Sequence, residues 1–188
     1  MKTKKAFKGL ILPDFISKPF RLEPWMVTQA NKTSRSFGAV GRNAVVPRKV
    51  RELFSARDNL LILDFGAGKD ALHASALRQD GYRVDAYEFG DNVRPFVHTR
   101  SLAIKYYDVV YASNVLNVQA NDAMMSSNLL NIWLTLKTGG SFVANFPLSP
   151  RKNDVQAKDL LKLIEGMFGE IKILKGGKAP VFVATKKS

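Results

Sequence analysis

The stretch Asn59–Glu88, NLLILDFGAGKDALHASALRQDGYRVDAYE, constrains the fold more than any other part of the chain. Leu60 to Leu63 is a short, uninterrupted aliphatic run that reads as a buried strand, closed by Asp64 and Phe65. Gly66, Ala67 and Gly68 make a small-residue turn. Ala71 to Gln79 carries strong helix formers, with Leu72, Ala76 and Leu77 apolar, and Asp70 stands where an N-cap carboxylate would accept from the first free amides. Gly81 follows the last turn, as a left-handed helix terminator should. Tyr82 to Tyr87 reads as a second strand ending on an acid, Glu88. The order strand, glycine turn, helix, strand, acid predicts an α/β fold.

Glycines at 66 and 68 have no Cβ, so a ligand can lie against the backbone there. The following helix directs free amides and a partial positive charge back toward the turn. Glu88, 24 residues beyond Asp64, sits at the tip of the neighbouring strand, where a carboxylate can accept from both hydroxyls of a ribose. The unit suits a nucleoside-containing ligand.

These residues carry a resemblance. Asp64-Phe65-Gly66-Ala67-Gly68 resembles the first motif of the class I S-adenosylmethionine-dependent methyltransferases, [DE]-x-G-x-G-x-G, and Glu88 falls at that family's ribose-binding acid. Tyr107 to Leu116, YDVVYASNVL, is similar to the family's fourth strand and the loop after it, and Leu136 to Val143, LKTGGSFV, to its turn into the fifth. The wording DFGAGK and SNVLNV resembles small methyltransferases of phages and DNA-modification gene clusters. The family's third glycine position holds Asp70. An acid beside a dinucleotide's pyrophosphate would be repelled, whereas S-adenosylmethionine has no phosphate and carries a sulfonium and an amine, so Asp70 argues for the methyl donor. The resemblance implies a Rossmann-like, doubly wound, seven-stranded and mostly parallel sheet over residues 45–188, preceded by a basic extension over residues 1–44. It implies methyl transfer from S-adenosylmethionine. The donor would be held by Asp64, Phe65, Gly66, Ala67, Gly68, Glu88 and Asn114, and Asn114 would also lie in the loop where family members orient the acceptor.

Composition narrows the chemistry. The 188 residues include no cysteine, which removes disulfides, thiolate metal sites and a cysteine nucleophile, and suits a reducing cytoplasm. Two histidines, His73 and His98, are too few for an ordinary nitrogen-ligated zinc site, so no metal is expected. No apolar run approaches membrane-spanning length, and Pro13 and Asp14 break the apolar part of a signal-like start. The net charge of +13 is concentrated: residues 1–58 carry 13 Lys and Arg against 4 Asp and Glu, and residues 59–188 carry 16 against 12. A concentrated basic segment attracts polyanions. DNA or RNA is therefore the expected partner, against the plainer reading of a solvated tail. The alternatives for function are transfer to a small molecule or protein, and a non-catalytic subunit that binds the donor.

Along the rest of the chain, Thr28 to Asn43 mixes small polar residues with Lys32, Arg35, Arg42 and Phe37, which suits a phosphate-and-base surface, a lid over the donor, or an ordinary linker. Pro47 suits the first turn of a helix whose apolar face is Val46, Val50, Leu53 and Phe54. A third strand is expected near Phe96 to Thr99. His98, Thr99 and Ser101 are the candidates there for an adenine contact. Asn114 and Asn117 either orient an acceptor or bond loop backbone. Gly139-Gly140 is read as a turn and Ser141 to Phe146 as the fifth strand. Asn145-Phe146-Pro147 lacks the double proline of exocyclic-amine DNA methyltransferases and reads as a strand end. Arg151 and Lys152 lie in a loop on the ligand edge. Val155 to Phe168 is an amphipathic helix, and Glu170–Leu174 with Val181–Thr185 a closing antiparallel hairpin around Gly176-Gly177.

Overall fold

The structure, a computed structural model, describes residues 44–99, 106–119, 122–148, 155–174 and 179–188, together with Pro24, Trp25, Thr28 and Leu102. In chain order the elements are α1 (Val45–Leu53), β1 (Leu61–Phe65), α2 (Leu72–Gln79), β2 (Arg83–Tyr87), β3 (Tyr107–Ala112), α3 (Asp122–Thr135), β4 (Leu136–Asn145), α4 (Ala157–Phe168), β5 (Ile171–Leu174) and β6 (Val181–Thr185). One six-stranded sheet runs in the order β2-β1-β3-β4-β6-β5. The first four strands are parallel, and β6 lies antiparallel to both β4 and β5.

Strand alternation divides the core between the two faces. Leu63, Phe65, Val110, Ala112, Phe142, Ala144, Phe182 and Ala184 pack with Met125, Leu129 and Ile132 of α3 and Leu160, Ile164 and Phe168 of α4. Ile62, Val84, Ala86, Val109, Tyr111, Val143 and Val181 pack on the other face with Val46 and Val50 of α1 and Ala74 and Leu77 of α2. Helices therefore cover both faces, which is why β1 and β3 read as near-continuous apolar runs. At the amino ends of the strands, Asp108 ties three of them together. It accepts from the Leu61 amide at 2.8 Å and from Lys137 Nζ at 2.7 Å.

Four expectations are corrected. The described residues form six strands rather than seven, and Phe96–Thr99 makes turns in place of the expected third strand. Its one ladder-like bond is from the Thr99 amide to the Ala86 carbonyl at 2.7 Å. Asp70 does not cap α2. Ala71 occupies the N-cap in a left-handed conformation (φ 44°) without a side-chain cap, and Asp70 pairs with Arg94 at 2.9 Å. Gly139-Gly140 does not precede β4 but lies within it: α3 passes into the strand at Leu136, and a register shift opposite Tyr107 and Val109 absorbs the extra residues. A Cβ at Gly140 would lie 2.9 Å from the Asp108 and Lys137 carbonyl oxygens, so the bulge needs glycine there. Finally, Leu53, expected on the apolar face of α1, is exposed. The closing hairpin is formed as expected; its connection at Gly176-Gly177 lies outside the described residues.

Candidate functional site

β1 continues to β2 on one side of the sheet, and the chain returns on its other side as β3, so strand order reverses between β1 and β3. In open α/β sheets the crevice beyond the carboxyl ends at such a point is where ligands lie. The turn Gly66–Gly68 after β1, Glu88 after β2, Asn114 after β3 and Asn145 at the end of β4 all meet that edge.

The turn is shaped by what its backbone bonds. The Gly66 and Ala67 amides both donate to the Tyr87 carbonyl, at 2.9 and 3.0 Å. The Gly68 amide donates to Glu88 Oε2 at 2.7 Å, and the Phe89 amide to Glu88 Oε1 at 2.9 Å. The three turn amides are thus occupied, and a carboxylate stands among them, an environment that disfavours a phosphate. Burial raises the Glu88 carboxyl above its usual range, while the Phe89 and Gly68 amides oppose that rise. The Gly68 carbonyl is held too. The Arg94 amide donates to His98 Nδ1 at 2.9 Å, which puts the ring proton on Nε2, and Nε2–H donates to the Gly68 oxygen at 2.9 Å. Both His98 nitrogens are therefore committed to the turn rather than to an adenine.

The two glycines do different work. A Cβ at Gly66 (φ +77°) would stand 2.6 Å from Val115 Cγ2, so this glycine admits the loop after β3. A Cβ at Gly68 (φ +72°) would meet nothing within 4 Å, so that backbone faces open space. Phe65 points away into the core, its ring 5.2 Å from that of Tyr87, and offers the site only its backbone.

Asp64 is buried on the α1/α2 face, paired in register with Tyr111. Burial pushes its carboxyl up to about 7, the Tyr111 hydroxyl opposes this and the Glu88 charge adds to it. Asp64 Oδ2, Ser113 Oγ and Asn117 Oδ1 are sealed from solvent without a hydrogen-bond partner among the described residues. Asn114 (φ 59°) and Asn145 form a reciprocal pair. The Asn114 amide donates to Asn145 Oδ1 at 2.8 Å, and Asn145 Nδ2 donates to Asn114 Oδ1 at 2.7 Å.

The structure thus brings Asp64, Phe65, Gly66, Ala67, Gly68, Glu88 and Asn114 to one edge. Lys32, Arg35, Arg42 and Arg151, with Ser101, lie outside the described residues. Sequence reasoning missed His98 as a partner of the turn and Asn145 as a partner of Asn114. A polar residue closing a buried strand was the available signal for Asn145.

Among solved structures, the chain is similar to human N-acetylserotonin methyltransferase in complex with S-adenosylmethionine, at 18% identity over 77% of this chain and 52% of that one, with a TM-score of 0.53. It is similar to a TehB-like S-adenosylmethionine-dependent methyltransferase from Corynebacterium glutamicum, at 16% identity over 87% and 96% of the two chains, TM-score 0.55. It is also similar to magnesium protoporphyrin IX methyltransferase from Synechocystis with bound S-adenosylmethionine, at 16% identity over 93% and 88%, TM-score 0.55. The fold is that of the class I methyltransferases. The chain spans about half the length of the human enzyme it matches. No family model matches the chain, and no curated protein matches it. The narrower likeness to phage and DNA-modification enzymes finds no support in these neighbours. No described helix is long and apolar enough to cross a membrane.

Proposed function

We propose that the protein is an S-adenosylmethionine-dependent methyltransferase acting on a small-molecule acceptor. The observation that carries this reading is the open backbone at Gly68 beside the Glu88 carboxylate, with the turn amides already engaged. That arrangement fits a ribose and a cationic ligand and disfavours a nucleotide phosphate. S-adenosylmethionine, when bound, supplies a methyl carbon already activated by its sulfonium. The residues have a matching, limited task. Glu88 accepts from the ribose hydroxyls on the lone pairs left free beside its bonds to the Gly68 and Phe89 amides. Gly66 lets Val115 bring the loop after β3 onto the turn. Gly68 lets the donor lie against the backbone. Asp64, buried beneath the turn, acts through the turn's geometry. Phe65 and Ala67 contribute backbone, and Asn114 orients the acceptor. Catalysis is then mainly alignment of nucleophile, methyl and leaving sulfur.

A small-molecule acceptor is supported by the named acceptors of two neighbours, N-acetylserotonin and magnesium protoporphyrin IX. A second reading, transfer to DNA or RNA in the cytoplasm, is favoured by the charge of residues 1–44, with Lys32, Arg35, Arg42 and Arg151 as phosphate contacts. Calorimetry with S-adenosylmethionine and with NAD tests the donor: heat with the first and none with the second is expected, and the reverse overturns the reading. A tritiated-methyl screen over small acceptors, DNA and RNA then separates the two acceptor classes by where the label appears.

A further inference from the structure

The Asn114–Asn145 pair fixes more than a loop. A backbone N–H can only donate, so the bond from the Asn114 amide identifies the Asn145 atom it meets as Oδ1. Asn145 Nδ2 therefore lies on the other side of that amide, where it donates to the Asn114 side chain. The atom it meets must accept, so it is Asn114 Oδ1. By elimination Asn114 Nδ2 points away from the pair, and both its hydrogens are without a partner among the described residues. Asn145 is buried (2% exposed) and its orientation is set by the backbone, so the chain of constraints runs outward from a rigid strand end to the half-buried Asn114. Val115, the next residue, is the one packed over Gly66, which places this amide beside the glycine turn. The left-handed backbone at position 114 suits asparagine and little else but glycine and aspartate.

We infer that Asn145 is a positioning residue that makes Asn114 present hydrogen-bond donors to the acceptor substrate, and that the acceptor is therefore an oxygen nucleophile already ionised at neutral pH, a carboxylate, rather than an amine or a phenol. This rests on the methyltransferase reading above. An amine or a phenol carries a proton that needs an accepting oxygen, and Asn114 turns its oxygen inward. Ser113 Oγ and Asn117 Oδ1, the loop's buried acceptors without a partner among the described residues, are sealed from solvent and are not offered to an entering molecule. An anionic oxygen, by contrast, accepts from Asn114 Nδ2–H and needs no base. Its lone pair forms the bond to the methyl carbon, the carbon–sulfur pair stays on sulfur, which leaves as a neutral thioether, and the carboxylate becomes a neutral ester with no proton left to place.

The amide geometry is read without any ligand by NMR couplings across hydrogen bonds in the full chain. Correlations are expected from the Asn114 backbone nitrogen to Asn145 Cγ and from Asn145 Nδ2 to Asn114 Cγ. A correlation from Asn114 Nδ2 to Asn145 Cγ would overturn the assignment. The functional arm uses Asn114→Asp, which keeps both bonds to Asn145 and changes the outward group from a neutral donor to a negatively charged acceptor. Asn145→Asp is the second variant, which turns the Asn114 amide around so that its oxygen faces outward. For both, affinity for S-adenosylhomocysteine should stay within twofold of the unaltered protein, while transfer to a carboxylic acid acceptor falls at least tenfold. Transfer within twofold of normal, a tenfold loss of S-adenosylhomocysteine affinity, or an unaltered protein that labels amines or phenols in preference to carboxylates would each overturn the inference. If the unaltered protein binds neither S-adenosylmethionine nor S-adenosylhomocysteine, the methyltransferase reading itself fails and takes the acceptor assignment with it, while the couplings still decide the amide geometry.

Discussion

Asp64 is a carboxyl group held where charge is costly, and its titration is a stability statement. Its ordinary value of 3.8 rises to about 7 in the folded chain, chiefly through burial. Between those values the folded chain binds a proton that the unfolded chain has released. The stabilisation is fully present below about pH 4 and is lost as pH rises through about 7. The three-unit difference sets a ceiling of about 4 kcal/mol on the loss. Glu88, also raised, acts in the same direction. The unaltered protein is expected to be less stable at pH 8 than at pH 5, and Asp64→Asn to show a much smaller difference, by urea denaturation at the two values. Equal pH dependence in both proteins would contradict a strongly raised Asp64. The two glycines make a second comparison at this scale. Gly66→Ala forces a methyl group against Val115 as well as into a left-handed backbone, and should cost about 2–4 kcal/mol. Gly68→Ala meets open space and should cost about 1–2 kcal/mol, from the backbone alone, while weakening S-adenosylmethionine more than tenfold. Val115→Ala should recover part of the Gly66→Ala loss and none of the Gly68→Ala loss, measured by the same denaturation.

At the scale of elements, the segment after β2 replaces a strand with three discrete links: Thr99 to Ala86, His98 to Gly68, and Arg94 to Asp70. Their weights differ. The Arg94–Asp70 pair is about half exposed on both sides, so Arg94→Ala should cost less than about 1 kcal/mol. His98→Ala removes both ring bonds from a buried position and leaves the Gly68 carbonyl without its donor, so about 1–3 kcal/mol is expected. Because that carbonyl belongs to the donor turn, S-adenosylmethionine affinity should fall with His98→Ala and hold with Arg94→Ala, read by calorimetry. This segment also shows where sequence reading stops. β1, β3 and the α4 face were legible because burial on both faces, or on one stripe, leaves an apolar period in the text. The glycine turn and Glu88 were legible because close approach and a strand-tip acid need particular residue types at particular spacing. The helix cap was not. Asp70 is a good capping residue by type, but the pull of Arg94 and the conformation of Ala71 are tertiary effects without a local signature. The third strand failed for the same reason: Phe96 has the apolar look of a strand residue, yet it is fully exposed with φ 67° at the tip of a turn. The Asn114–Asn145 pair joins residues 31 apart, and no periodicity announces it.

For the whole molecule, fold and charge make separate claims. The sheet places every residue proposed to hold the donor at the carboxyl ends of β1 to β3, and β4 adds Asn145 to the same edge. Along the sequence the charge excess is concentrated in residues 1–58, and a basic segment of that kind attracts polyanions by counterion release whether or not they are substrates. Binding and methyl transfer should therefore come apart. The full chain is expected to hold single-stranded DNA or RNA at low salt and to lose it steeply as salt rises. Replacing Lys32, Arg35 and Arg42 together with alanine should reduce the slope of log affinity against log salt by about 2 for a single strand, at roughly 0.7 per charge removed. The same triple variant should leave transfer to a small oxygen acceptor within about twofold of normal, since steering by charge acts on polyanions far more than on a small substrate. Nucleic-acid binding by fluorescence anisotropy across a salt series, paired with label transfer to both acceptor classes, checks this. If the label enters nucleic acid, and the triple variant loses that transfer in proportion to the lost binding, the basic segment is substrate recognition and the second reading of the acceptor takes the place of the first.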